Sequence, residues 1–74
     1  MFLTIIKVKV YPDLKNTVIV EVNTRVVKEA LEALKDLLKL KGQYAIVKNG
    51  RILSNDEYIS DDDEIMLVPI VEGG

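Results

Sequence analysis

Only one stretch of this chain, Thr24 to Lys41, repeats its apolar residues at helical spacing, and that single helix limits the fold more than any other feature. Val27, Ala30, Leu31, Leu34, Leu37 and Leu38 form one stripe along it. Thr24 is placed as the N-cap and Gly42 as the left-handed residue that ends the helix, with Lys39 and Lys41 at the negative pole of its dipole. The remainder reads as strand and turn. Phe2 to Tyr11 passes into alternation, with Ile6, Val8 and Val10 on one face and Lys7 and Lys9 on the other. Pro12 to Asn16 has turn chemistry, and Thr17 to Val22 then alternates Val18, Val20 and Val22 against Thr17, Ile19 and Glu21, so an antiparallel hairpin is predicted. After the helix, Tyr44 to Lys48 is a third strand, Asn49-Gly50 a tight hairpin turn, and Arg51 to Leu53 the short return. Ser54 to Ser60 reads as irregular and Asp61-Asp62-Asp63 as a charged turn. Glu64 to Ile70 is apolar enough for a mid-sheet strand buried on both faces. One helix covers one face, which excludes a doubly wound sheet. The prediction is α+β: a mixed five-strand sheet with the helix packed across one face and the last strand parallel to, and beside, the first.

A chain of 74 residues holds one domain, expected to span residues 1–70, and needs dense apolar packing to be stable. Its 49% hydrophobic content, mostly Val, Ile and Leu, supplies that packing and excludes general disorder. Cysteine, histidine and tryptophan are absent. That removes disulfides, thiolate nucleophiles, imidazole bases and the usual nitrogen and sulfur ligands of transition metals, so no bound cofactor or metal is expected and the chain is not read as an enzyme. No segment has a signal-peptide pattern and no apolar run approaches a membrane span; a cytoplasmic location without membrane contact is expected. The net charge of −2 is unevenly spread, with six basic and five acidic side chains in residues 1–37 but four and seven in residues 38–74. A partner of the second half is therefore expected to be basic. Direct nucleic-acid binding is not expected, because Lys and Arg are not clustered and Phe2, Tyr11, Tyr44 and Tyr58 are too scattered to stack bases.

Three segments taken in order carry a resemblance: Val47-Lys48-Asn49-Gly50, then Asp61-Asp62-Asp63-Glu64, then Met66-Leu67-Val68-Pro69-Ile70-Val71-Glu72-Gly73-Gly74. The pattern resembles the ubiquitin-like sulfur carriers and small modifiers. This group includes the small subunit of molybdopterin synthase, the thiamine-pathway sulfur carrier, the small archaeal modifier proteins and the ubiquitin-related modifier. The resemblance implies a β-grasp fold and a chain that works through its C-terminal Gly74, with Gly73 beside it. A partner E1-like adenylating enzyme, using ATP and magnesium, would join the Gly74 carboxylate to AMP. Attack by a persulfide sulfur would then give a thiocarboxylate for sulfur transfer in cofactor biosynthesis or tRNA thiolation; attack by a lysine amine would give a conjugate to a target protein. Sulfur donor or acceptor enzymes, or target-protein lysines, are the further partners implied.

Residues 71–74 are expected to be a flexible tail outside the packed body. Without a Cβ, Gly73 and Gly74 can thread a narrow channel, and four extended residues reach roughly 13 Å from the sheet. Ile70 and Val71 are the expected apolar contacts for a partner, with Glu72 in the tail and Asp61, Asp62 and Asp63 as an acidic contact for a basic rim. Pro69 is expected to end strand pairing and start the tail. The Asp run lacks the alternating ligand spacing of a calcium loop, so no cation site is read there. The free protein is expected to be a monomer. The competing reading is a non-catalytic β-grasp recognition module that binds through its sheet and makes no use of the terminus, and fold alone does not choose between the two.

Overall fold

A computed structural model of the chain describes residues 3–71. The elements follow the order β1 (Thr4–Val10), β2 (Asp13–Val22), α1 (Val27–Leu37), β3 (Tyr44–Lys48), β4 (Arg51–Ile52) and β5 (Glu64–Pro69). They form one five-stranded sheet in the order β2-β1-β5-β3-β4. β1 pairs antiparallel with β2 and parallel with β5, and β3 pairs antiparallel with both β4 and β5. The first and last strands are thus neighbours in mid-sheet, as the sequence predicts. No helix among the described residues is long and apolar enough to cross a membrane.

Alternation sorts each strand into an inner and an outer row. Ile6 and Val8 of β1, Val20 and Val22 of β2, Ile46 of β3, and Ile65 and Leu67 of β5 are buried together with Val27, Ala30 and Leu34 of α1. Val10, Leu31, Leu38, Leu40 and Tyr44 pack around this core. The expected double burial of the last strand is not observed. Only its inner row is enclosed, while Met66 and Val68 on the outer row are half-buried, because one helix covers one face of the sheet. Two residues placed on buried faces lie in the open: Val18 precedes the part of β2 that α1 covers, and Leu37 is 59% exposed at the end of the helix.

The helix is shorter than its periodicity suggests, and neither cap is the expected one. Its N-cap position is Val26, not Thr24. Residues 24–26 are held extended against the irregular segment that precedes the acidic turn: Val26 bridges Tyr58, and Ile59 N–H donates to the Arg25 carbonyl. That segment also satisfies the open end of the helix, since Val27 and Lys28 donate their N–H groups to the carbonyls of Glu57 and Asn55. Backbone carbonyls therefore replace a capping side chain. Thr24 keeps a local task, its hydroxyl accepting from Val26 N–H and donating to the Glu29 carboxylate at 2.7 Å. At the other end, Lys39, not Gly42, takes the left-handed conformation at φ 56°. Lys39 N–H donates to the Asp36 carbonyl and Leu40 N–H to the Lys35 carbonyl, the double closure of a Schellman motif. Gly42, at φ 90°, turns the loop toward β3.

The turns differ in how closely they match expectation. Asn49 and Gly50 both adopt positive φ, as a two-residue hairpin turn requires. The first hairpin turns at Tyr11-Pro12 alone, and the segment read as turn is already strand from Asp13. The Asp13 carboxylate still accepts from the N–H groups of Lys15 and Asn16, which makes the start of β2 an Asx-type arrangement inside a strand.

Candidate functional site

The last described residues, Ile70 and Val71, follow β5 in the middle of the sheet. Ile65 and Leu67 anchor β5 in the core, and pairing continues past Pro69, because Ile70 N–H donates to the Gln43 carbonyl at 2.8 Å. Proline does not end the ladder here; it only forgoes its own donor. Ile70 is half-exposed and borders a groove with Lys28, Leu31, Lys35 and Tyr44. Val71, immediately beyond, is 86% exposed. Thus Ile70 and Val71, the two expected apolar contacts, do stand together at the exit, with mixed charge from Lys28, Glu32 and Lys35 around them. Glu72, Gly73 and Gly74 lie outside the described residues.

The acidic turn lies at the other end of the same strand. β5 starts directly after Asp63 and runs six residues to Pro69, so roughly 20 Å of extended chain separates the turn from the tail exit. The three aspartates also differ in their employment. Asp61 accepts from Ile5 N–H at 3.0 Å, and Asp63 accepts from Ser60 N–H at 2.7 Å and from Lys48 Nζ at 3.0 Å. Asp62 is exposed, at φ 67°. Two of the three carboxylates therefore fasten the turn to β1 and β3, and the structure does not bring the expected acidic and apolar contacts into one patch. Among the described residues no Asp, Glu, His or Cys group could hold a metal ion.

Sequence reasoning missed the outer face of the sheet. Register places Lys9, Met66, Val47 and Ile52 in one row across β1, β5, β3 and β4, with Val68 and Ala45 paired in the next row toward the tail exit. Ile52 is 67% exposed, and Met66, Val47 and Val68 are half-buried although no element among the described residues packs on them. The signal was present as apolar residues at outward positions, but in strands this short each is read as core. A second apolar groove lies on the opposite side, between β2 and the end of α1, lined by Leu3, Val22, Ala33 and Leu37 with Glu21 and Asp36 at its rim.

Known proteins share this architecture. No curated protein sequence matches the chain. Among solved structures it is similar to the ubiquitin of Caldiarchaeum subterraneum, with a TM-score of 0.72, 18% identity and coverage of 99% of this chain and 100% of that one. It is also similar to SAMP1 from Haloferax volcanii, with a TM-score of 0.66, 25% identity and coverage of 95% and 99%. A second structure of the H. volcanii small archaeal modifier protein 1 gives a TM-score of 0.68 at 23% identity, covering 92% of this chain and 99% of that one. These neighbours establish the ubiquitin-like β-grasp fold. Residues 27–74, from the first residue of α1 through β5 and the diglycine, match the ThiS family, and the chain belongs to that family.

Proposed function

We propose that this chain is a sulfur carrier or small modifier that acts through the carboxyl group of Gly74, with residues 71–74 as a tail separate from the body at 1–70. The observation that carries the reading is at Ile70 and Val71: among the described residues the Ile70 N–H makes the last backbone bond of the sheet, and Val71 is 86% exposed. The family match, which runs through Gly74, supports assigning the tail a task outside the fold.

The chemistry proposed is acyl activation by an E1-like partner. A carboxylate is a poor electrophile because its charge repels nucleophiles and oxide is a poor leaving group. A Gly74 carboxylate oxygen attacks the α-phosphorus of the partner's magnesium-bound ATP, pyrophosphate leaves, and the mixed anhydride makes AMP the next leaving group. Attack by a persulfide sulfur expels AMP and forms an acyl disulfide, which a thiol cleaves to leave the thiocarboxylate. A lysine amine attacking the activated carbonyl instead gives an isopeptide. This chain supplies the acyl group, the exposed Ile70 and Val71 as an apolar anchor, and the outer row of Met66, Val47 and Ile52 as the larger docking surface. Two glycines offer backbone hydrogen bonds but little apolar area, so affinity has to come from these residues.

Deleting Gly73 and Gly74 tests the reading. Thermal stability should stay within experimental error of the parent, while ATP–pyrophosphate exchange by the cognate adenylating enzyme should fall to background. A truncated chain that is still adenylated would refute the proposal, as would one that unfolds.

A further inference from the structure

Asn49-Gly50 combines a reactive residue pair with a turn that holds its atoms apart. The chain has four asparagines, and the residues that follow them are Thr17, Thr24, Gly50 and Asp56. A carboxamide is attacked most readily by the next backbone nitrogen when no side chain crowds that nitrogen, and only Asn49 is followed by glycine. The pair sits between β3 and β4. Leu53 N–H donates to the Ile46 carbonyl at 2.9 Å, so Ile46 and Leu53 are a bonded pair. Alternation along the ladder then makes Val47–Ile52 the open pair and Lys48–Arg51 the next bonded one. Asn49 and Gly50 lie beyond that last pair, both are exposed, and neither makes a hydrogen bond to another described residue. A Cβ placed on Gly50 would meet nothing within 4 Å, so the space beside its nitrogen is open to solvent.

We infer that Asn49 is a site of spontaneous deamidation, released by local opening of β4 and not by unfolding of the domain. The Gly50 nitrogen, losing its proton to hydroxide, attacks Asn49 Cγ. The Cγ–Nδ2 bond breaks, the departing nitrogen takes a proton from water and leaves as ammonia, and a five-membered succinimide remains. Water then cleaves one of two bonds: opening at Cγ leaves aspartate, and opening at the main-chain carbonyl leaves isoaspartate, in which the chain runs through Cγ. Ring closure requires the Gly50 nitrogen to eclipse Cβ across the Asn49 Cα–C bond. The left-handed turn, with φ of 53° at Asn49 and 77° at Gly50, keeps the two apart. The turn therefore protects the pair that forms it, and reaction waits on its opening. That opening is small. β4 has two residues, and freeing Asn49 breaks only the Lys48–Arg51 pair, while Leu53 keeps its bond to Ile46 and its place in the core. The two products differ in consequence. Aspartate tolerates the left-handed conformation and leaves the hairpin in register. Isoaspartate lengthens the main chain by one methylene inside a two-residue turn, so Lys48 and Arg51 no longer face each other and Ile52 is drawn off the outer row beside Val47. The site does not depend on the proposed function.

Incubating the full chain at neutral and mildly alkaline pH, with peptide mapping by mass spectrometry, tests the site. Conversion of amide to acid should appear at Asn49 before it appears at Asn16, Asn23 or Asn55, should quicken as pH rises, and should yield both isomers. Asn49→Gln, whose attack would have to close a six-membered ring, should lose it. The rate in native buffer should hold nearly constant as urea is added below the unfolding transition, because local opening exposes little surface, and should rise steeply only within the transition. Val20→Ala, which removes core volume from β2 at the opposite sheet edge, should leave the native rate unchanged. Glu57→Ala, which takes the acceptor away from Arg51 and Ser54, should raise it severalfold. Circular dichroism checks the fold of both variants, and the urea series on the parent decides the route without them. An Asn49 that stays intact until the domain unfolds, a native rate that climbs with urea in step with global instability, or another asparagine reacting first would each overturn the inference.

Discussion

The hydroxyl of Thr4 is fully enclosed in the core and has no hydrogen-bonding partner among the described residues. A buried polar group without a partner keeps its desolvation cost and gains nothing in return. Thr4→Val replaces that hydroxyl with a methyl group of nearly the same shape, and it should stabilise the fold by about 1 kcal/mol in urea unfolding with an unchanged slope. A destabilised variant would show that the hydroxyl gains more from hydrogen bonding in solution than it loses by burial. At this scale the alternating pattern shows which way a strand residue points but not what lies over it. Ile6 and Val8 are inward and enclosed, whereas Val18 is inward and 43% exposed because the helix ends its cover short of it. Ile19, Ile52 and Val71 have the composition of core and the position of surface, and a sequence does not distinguish these until the register is known.

The helix starts on partners distant in the chain and ends in a local left-handed turn at Lys39, so its middle is legible in the sequence and its ends are not. The stripe through Val27, Ala30 and Leu34 identified the helix. Its start depends on the carbonyls of Asn55 and Glu57, which periodicity cannot foresee. Its end illustrates a choice between two signals. Gly42 looked like the stop, yet the chain turns left-handed at Lys39, a conformation that costs a non-glycine residue about 1–2 kcal/mol. Lys39→Gly should recover part of that strain and, after the extra entropy glycine brings to the unfolded chain, raise stability by about 0.5–1 kcal/mol. Gly42→Ala should lower it. Denaturant titration of the two variants decides whether the terminator is where the Schellman bonds place it. The segment between β4 and the acidic turn is held by Glu57, whose carboxylate accepts two hydrogen bonds from Arg51 at 3.0 and 2.8 Å and one from Ser54 N–H. The Arg51 bonds, followed by the Ser54 bond, lower its pKa from 4.5 to about 2. A carboxyl with a depressed folded pKa contributes stability that is present above 4.5 and lost as pH falls through about 2. Stability measured between those two values should therefore fall more steeply for the parent than for Glu57→Gln; parallel curves would show that the Arg51 pair does not persist in solution.

Taken as a whole, the molecule puts its acidic turn and the exposed pair Ile70 and Val71 at opposite ends of one central strand. The architecture was legible because one helical stripe and the order of strands leave few ways to bury both. The separation of the two expected contact regions was not legible, since both lie in the same third of the sequence and only the extended path of β5 drives them apart. It changes what charge can do for binding. Under the proposed function, which makes Val71 an apolar anchor, Val71→Asp should raise the dissociation rate of the complex with the adenylating enzyme at every ionic strength. Asp62→Asn, the one change in the turn that leaves the bonds of Asp61 and Asp63 intact, should slow association only modestly and only at low salt. Stopped-flow and dissociation measurements across salt concentrations separate the two, and an unaltered complex with Val71→Asp would place the anchor on the outer face of the sheet. The seam between β1 and β5 has a further consequence, for biosynthesis. Lys7 is paired with Glu64, so the centre of the sheet stays open until residues 64–67 have left the ribosome. The hairpins on either side can form earlier, but β5 alone joins them, and non-local pairings of this kind form late. A copy terminated before Glu64 therefore lacks the strand that completes its core, and what protein quality control encounters is an unclosed sheet rather than a folded domain.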